Sequence, residues 1–182
     1  MVESRTSPRP IHIWVAGCAT GEEAYSVAMC VSECLEETGI RAPVRIFATA
    51  LSPLVLRAAR AGIYPSRALA HVSQERLDRF FQKRNGDYVI TRPIREMCRF
   101  ARHDLANDVP LYGSLDLVTC RNVLLYLNRP TRLRILDAFH RALKPGGCLL
   151  LGKAEGMIEN AGFRELDSRH RLFRKIPERG RA

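Results

Sequence analysis

The 182-residue chain has no apolar run approaching the roughly 18 residues of a membrane-spanning helix, so membrane insertion is not expected. Residues 1–10 are polar and lack the apolar centre of a secretory signal; they read as a linker. CxxC pairs are absent. The six cysteines stand at 18, 30, 34, 98, 120 and 148. Cys30 and Cys34 share a helical i, i+4 spacing, but no second pair completes a metal site. Buried free thiols are expected, and the cytoplasm is the expected compartment. The five histidines, at 12, 71, 103, 140 and 170, show no ligand spacing, and no Ser-His-Asp or Cys-His arrangement stands out. Negative charge is scarce, with 19 acidic against 29 basic residues and a net charge of +10. That balance suits an acidic partner: nucleic acid, anionic lipid or an acidic protein segment. A solvated basic surface with a basic tail over residues 164–181 explains it equally well. No RNP-like aromatic motif supports a nucleic-acid partner.

What is present is organised around Trp14-Val15-Ala16-Gly17-Cys18-Ala19-Thr20-Gly21-Glu22-Glu23. An apolar run over 11–16 ends in a loop of small residues, and an amphipathic helix opens near Glu22. Strand, tight turn and helix N-terminus in this order begin a Rossmann-like unit. The loop reads GxxxG, not GxGxxG, and lacks the Lys-Ser/Thr of a phosphate-binding P-loop. It points to a cofactor other than a dinucleotide or nucleoside triphosphate. A purely structural strand-to-helix turn on glycine is the alternative.

Along the chain, apolar residues at 24, 27, 28, 31 and 35 trace one face of a helix over 22–37. A buried strand over 44–49 follows. Ser52-Pro53 starts a helix that Gly62 closes. This alternation predicts a parallel sheet covered by helices. It then breaks: a helix over 73–83, a turn at Asn85-Gly86-Asp87, a strand over 88–91 and another over 94–100 suggest a small β-subdomain inserted at about 83–100. A strand over 115–120, a helix from Arg129 to 143, a turn at 144–147, a strand over 148–152 and a terminal strand pair complete the series. One domain over 11–182 is expected.

Four stretches carry a resemblance: AGCATGEEAYS (16–26), ARAGIY (59–64), LDLVTCRNVLLYL (115–127) and FHRALKPGGCLLLG (139–152). Together they resemble the class I S-adenosylmethionine-dependent methyltransferases, and more closely the chemotaxis receptor protein-glutamate O-methyltransferases of the CheR type. The resemblance spans residues 11 to about 175. It implies an α/β, Rossmann-like sheet of seven strands with the last antiparallel, and a β-insertion near Asn85 that contacts the receptor. It implies S-adenosylmethionine as cofactor and an acidic, glutamate-bearing chemoreceptor helix as partner. The family usually carries a helical N-terminal domain before the opening strand. Its absence here makes the chain read as a fragment or one module of a fusion.

The resemblance also implies roles. Ala16, Gly17, Thr20 and Gly21 would wrap the amino-acid end of the cofactor, and Glu22 would accept a hydrogen bond from it. Asp104 and Leu105 match positions beside the adenine. Arg121 and Asn122 would line the methyl-transfer pocket, with Tyr126 near the methyl group and acceptor carboxylate. Arg121 and Tyr126 are therefore the candidate catalytic residues; Trp14 reads as core. Without the resemblance, Glu22 is a dipole-favoured helix-start acid, Asp104 a turn residue, Asn122 a strand-end cap and Tyr126 a core aromatic.

One position departs from the pattern. The family places an acid at the end of the second strand to hold the ribose hydroxyls; the resemblance predicts Asp at 50 and 52, and this chain has Ala50 and Ser52. Hydrogen bonds to a charged group are worth roughly 1.5–3 kcal/mol each, so ribose affinity would fall unless Ser52 or water substitutes. Two readings follow: a methyltransferase with altered ribose recognition, or a methyltransferase-like module that has become a protein-interaction or ligand-sensing domain.

Overall fold

The computed structural model describes residues 9–108, 113–155 and 162–176. β1 (Ile11–Ala16) lies between two parallel neighbours, and its side chains alternate between two cores. Ile13 and Val15 enter one and Trp14 and Ala16 the other, all essentially buried. That two-sided burial is why the stretch reads as a continuous apolar run. α1 (Glu22–Thr38) follows the small-residue loop, and Gly39 closes it. β2 (Val44–Ala50) pairs with β1, and α2 (Pro53–Ala61) starts on Ser52-Pro53 as expected.

A second sheet then interrupts the alternation. It contains β3 (Ile63–Pro65), β4 (Phe81–Arg84) and β5 (Asp87–Ile90) in the order β3-β5-β4, with α3 (Gln74–Phe80) between β3 and β4. The inserted subdomain is thus built differently from the expected unit at about 83–100. The expected helix over 73–83 stops at Phe80, and Phe81 opens a strand that pairs with Ile90. Asn85 (φ 51°) and Gly86 (φ 86°) form a two-residue hairpin turn with both central residues left-handed, a geometry that Asn-Gly supplies cheaply. The strand expected over 94–100 divides into α4 (Arg92–Met97) and β6 (Cys98–Arg102). Pro93 presets the first helical turn, Ile94 packs into the core, and β6 joins the large sheet beside β2.

β7 (Leu115–Cys120) carries the chain to α5 (Arg129–Ala142), whose start is capped by Asn128 accepting the Thr131 N–H at 3.0 Å. β8 (Leu143–Leu151) is longer than expected. Leu115 faces Leu143 and Leu117 faces Cys148, so residues 144–147 form an irregularity inside the strand rather than a turn before it. β9 (Phe163–Asp167) and β10 (Leu172–Lys175) end the described chain. The large sheet has seven strands in the order β6-β2-β1-β7-β8-β10-β9, and β10 runs antiparallel to β8. The expected α/β class and antiparallel last strand are therefore present. No helix among the described residues is long and apolar enough to cross a membrane.

The cysteines divide. Cys18, Cys98 and Cys120 are buried, but Cys30 and Cys34 are exposed on α1, against the expectation of core thiols. Their helical face looks outward, while Ala24, Tyr25, Ala28 and Met29 hold the inward one. No metal-binding cluster occurs among the described residues.

Candidate functional site

In a parallel sheet, ligands bind beyond the carboxyl ends of the strands, where the chain switches direction. The ends of β1, β2, β6 and β7 meet there around a cleft of about 380 Å³. Its walls include Gly17 and Ala19 after β1, Ala50 to Ser52 after β2, His103 to Ala106 after β6, and Val123 and Leu127 after β7. Val55 from α2 contributes an apolar side.

The opening loop is held by backbone bonds. The N–H groups of Gly17 and Cys18 both donate to the Thr49 carbonyl at 2.8 Å, tying β1 to β2 at the cleft floor. Gly17 has φ +80°, and a Cβ there would run into Val123 Cγ2. Glycine is needed for the backbone angle and for the close approach of the post-β7 loop. Tyr64 Oη, from the small sheet, donates to the Thr20 carbonyl at 2.9 Å. Burial raises the Cys18 thiol to about 12, so it stays protonated and is not a nucleophile.

The structure brings four of the sequence-predicted residues into the cleft wall: Gly17, Ala50, Asp104 and Leu105. Ala16 is a buried core residue immediately below it. Thr20 and Gly21 lie on the loop leading into α1, and the Thr20 hydroxyl donates to the exposed Glu22 carboxylate at 2.7 Å. The Asp104 carboxylate accepts from Ala106 N–H and Asn107 Nδ2, both at 2.9 Å, and these bonds, the Asn107 amide foremost, hold it below the usual carboxylate range. Arg121 and Asn122 are exposed, and Asn122 adopts a left-handed φ of 59°. Tyr126 is 84% exposed, which excludes the core-aromatic reading. Its chain neighbours Val123 and Leu127 line the cleft, while Tyr126 itself is not among the lining residues. Trp14 is core as expected, with its indole N–H donating to Thr49 Oγ1 at 3.0 Å.

Ala50 occupies the end of β2 with its carbonyl accepting the His103 N–H at 3.1 Å. Its side chain offers no acceptor. Ser52 is the nearest following wall residue with a hydroxyl.

Three polar residues at the carboxyl end of the sheet were given no role by the sequence. His103 lines the cleft, with an almost wholly buried side chain whose ring stacks edge-on against Trp14 at 5.4 Å. Its Nδ1 is 3.6 Å from Asp108 Oδ2, beyond hydrogen-bond reach, and burial pushes its pKa down. Glu23 accepts the Thr119 hydroxyl at 2.5 Å, and burial raises its carboxyl despite that bond and the Arg121 charge. Glu155 is 1% exposed. Its Oε1 accepts the N–H groups of Val123 and Leu124, and Oε2 that of Gly152 at 2.6 Å. It fixes the Arg121–Leu124 loop from below. The available signal was its position: an acid shortly after a buried strand, at the carboxyl end of the sheet.

A seven-stranded, mostly parallel sheet of this order with its cleft at the carboxyl ends is the class I S-adenosylmethionine-dependent methyltransferase architecture. The TehB-like S-adenosylmethionine-dependent methyltransferase from Corynebacterium glutamicum aligns over 93% of this chain and 80% of its own at a TM-score of 0.52, with 16% identity, a likeness of fold. A family model for the CheR methyltransferase, SAM binding domain, matches residues 1–172, and the chain belongs to that family. S-adenosylmethionine is the cofactor of the domain.

Relatives at higher identity extend the comparison. The chain is 39% identical over 167 residues to an uncharacterized 104.1 kDa protein in the hypE 3'region of Rhodobacter capsulatus, covering 91% of this chain and 17% of that one. It is 38% identical to chemotaxis protein methyltransferase 1 of Pseudomonas aeruginosa, covering 81% of this chain and 55% of that one. The chemotaxis protein methyltransferase of Vibrio parahaemolyticus is 34% identical, with 85% and 58% covered. The chain therefore spans little more than half the length of the latter two and a smaller part of the first.

Proposed function

We propose that the chain transfers the methyl group of S-adenosylmethionine to glutamate side-chain carboxylates on an acidic helical segment of a chemoreceptor. The observation that carries this is Tyr126: an aromatic 84% exposed, beside cleft-lining Val123 and Leu127, on a loop anchored by Glu155. A tyrosine so exposed, next in the chain to cleft-lining Leu127, fills no core, and its exposure supports a role in meeting a protein acceptor. The net charge of +10 suits an acidic helix, and the two relatives named as chemotaxis methyltransferases support the receptor class.

The cleft fits the cofactor unevenly. At Gly17 the space a Cβ would take is filled by Val123, which packs the post-β7 loop against the post-β1 loop at the cleft wall, and the apolar wall of Leu105, Val55 and Leu127 suits a flat ring. Asp104 and Leu105 would hold the adenine; Ala16, Gly17, Thr20, Gly21 and Glu22 the amino-acid end; Arg121 and Asn122 the methyl-transfer side. At the ribose, Ala50 offers nothing and Ser52 must serve.

Bound there, S-adenosylmethionine would supply an electrophilic methyl on sulfur, which an acceptor carboxylate oxygen would take as an ester while the S–C electron pair stays with sulfur. The acceptor carboxylate is ionised at neutral pH, so no general base is required. The work of this chain is to position the acceptor in line and exclude water. Tyr126 and Arg121 would orient the incoming carboxylate.

Ala50 favours a second reading, a module that binds the cofactor weakly and serves as an interaction or sensing domain within a larger protein. Labelled methyl transfer from S-adenosylmethionine to a receptor cytoplasmic fragment decides between them. Base-labile label on the receptor supports the enzyme; none at saturating cofactor supports the module.

A further inference from the structure

Away from the cleft, a depression of about 420 Å³ gathers Arg60, Arg92, Arg95 and Arg99 around Cys98 and Phe100, with Glu96 as the carboxylate in its lining. It shares no lining residue with the cofactor cleft. Arg60 comes from the last turn of α2, Arg92 and Arg95 from α4, and Arg99 from β6, the edge strand of the large sheet.

Two of the guanidinium groups are pinned by backbone. Arg60 Nη2 donates to the Phe100 carbonyl at 2.8 Å, and Arg99 Nη1 donates to the Cys98 and Glu96 carbonyls at 3.3 and 3.1 Å. Two of these carbonyls, those of Cys98 and Phe100, belong to the edge strand, which makes β6 a poorer template for an added peptide strand. Glu96 is engaged by Arg92 at 2.7 Å. Protection of the edge accounts for Arg60 and Arg99, but Arg95 has no ion-pair partner among the described residues. Four cations against one carboxylate repel one another, and a bound anion would offset that repulsion. The planar fork of arginine matches phosphate oxygens two at a time. The volume lies in the roughly 300–1,000 Å³ range of small-molecule pockets.

We propose that this depression binds a small diphosphate-bearing molecule, held by Arg95 and Arg99 with Arg60 and Arg92 flanking. The test is calorimetric titration of the chain with inorganic pyrophosphate, repeated on Arg95→Gln, on Arg95→Gln/Arg99→Gln, and on Arg164→Gln/Arg174→Gln. The last removes equal charge from a separate basic hollow of about 340 Å³ that Lys175 and Ile176 also line. Pyrophosphate affinity is expected to fall about tenfold or more in the Arg95/Arg99 variant and to hold within about twofold in the Arg164/Arg174 variant. Arg95→Gln alone, at an exposed side chain, keeps the test valid if loss of Arg99 harms folding; it should weaken binding several-fold. Equal losses in both double variants would reduce the effect to diffuse charge and overturn the proposal. So would absence of pyrophosphate binding, or silence to pyrophosphate with Arg95-dependent binding of a glutamate-rich peptide, which would assign the surface to an acidic protein segment.

Discussion

Glu155 Oε1 accepts the backbone N–H of Leu124 at 2.7 Å, across the carboxyl end of the sheet. The same oxygen takes the Val123 N–H at 2.8 Å, and the other oxygen takes Gly152. One buried carboxylate thus satisfies three backbone donors and fixes the loop that carries Asn122 and Tyr126. Hydrogen bonds to charged groups are worth about 1.5–3 kcal/mol, and orphaned buried donors add their desolvation cost. Glu155→Ala should cost about 3 kcal/mol or more and lower the melting temperature by roughly 6–12 °C. Thermal and urea unfolding check this; a loss below about 1 kcal/mol would show that the loop holds its shape without Glu155.

Gly17→Ala should destabilise by about 1–3 kcal/mol, because it places a side chain at φ +80° and against Val123. The double variant Gly17→Ala/Val123→Ala should recover the steric part while retaining the backbone part. Urea unfolding of the three variants separates them, and no recovery would mean the clash is not the cause.

A pH dependence follows from His103. Burial is the largest influence and sets its folded pKa below the ordinary 6.5; Asp108 and Asp104 act in the opposite direction. A depressed folded pKa means that the unfolded chain binds the proton more readily. Its stability contribution is therefore complete above about pH 6.5 and lost as pH falls through the folded value. Unfolding free energy should decline between about pH 7 and 5, and His103→Phe, which keeps an aromatic edge against Trp14, should flatten that decline. Equal slopes in both proteins would contradict the assignment.

Much of this fold was legible in local chemistry. Residues 11–16 and 115–120 read as buried strands because both faces of each are covered, and Ser52-Pro53 and Gly62 bracket α2 by turn chemistry alone. The small sheet was half legible. Asn85-Gly86 announced the hairpin, but Phe81 belongs to a strand only because Ile90 lies opposite, and β3 is three residues whose partner is more than twenty positions away. Residues 94–100 read as one strand; tertiary pairing of β6 with β2 divides it. Of the residues expected from motifs, Gly17, Ala50, Asp104 and Leu105 line the cleft. Glu155 and His103 carry no motif, because their importance lies in what the fold packs around them.

Tyr126→Ala should leave stability within about 0.5 kcal/mol, since the side chain is largely in solvent. Methyl transfer to a receptor fragment should fall by about tenfold or more if Tyr126 orients the acceptor. Unaltered transfer would remove Tyr126 from the acceptor site, and the melting temperature tells this from misfolding.

The Ala50 end of the cleft, where the proposed function puts the ribose, is the decisive place. Calorimetric titration with S-adenosylhomocysteine, on the chain and on Ala50→Asp, measures it directly. Binding is expected in both, tighter in Ala50→Asp by about tenfold or more, as one restored charged hydrogen bond of roughly 1.5–3 kcal/mol requires. Equal affinity would show that Ser52 or water already supplies the ribose contact. No heat from either protein at millimolar ligand would contradict the cofactor site itself.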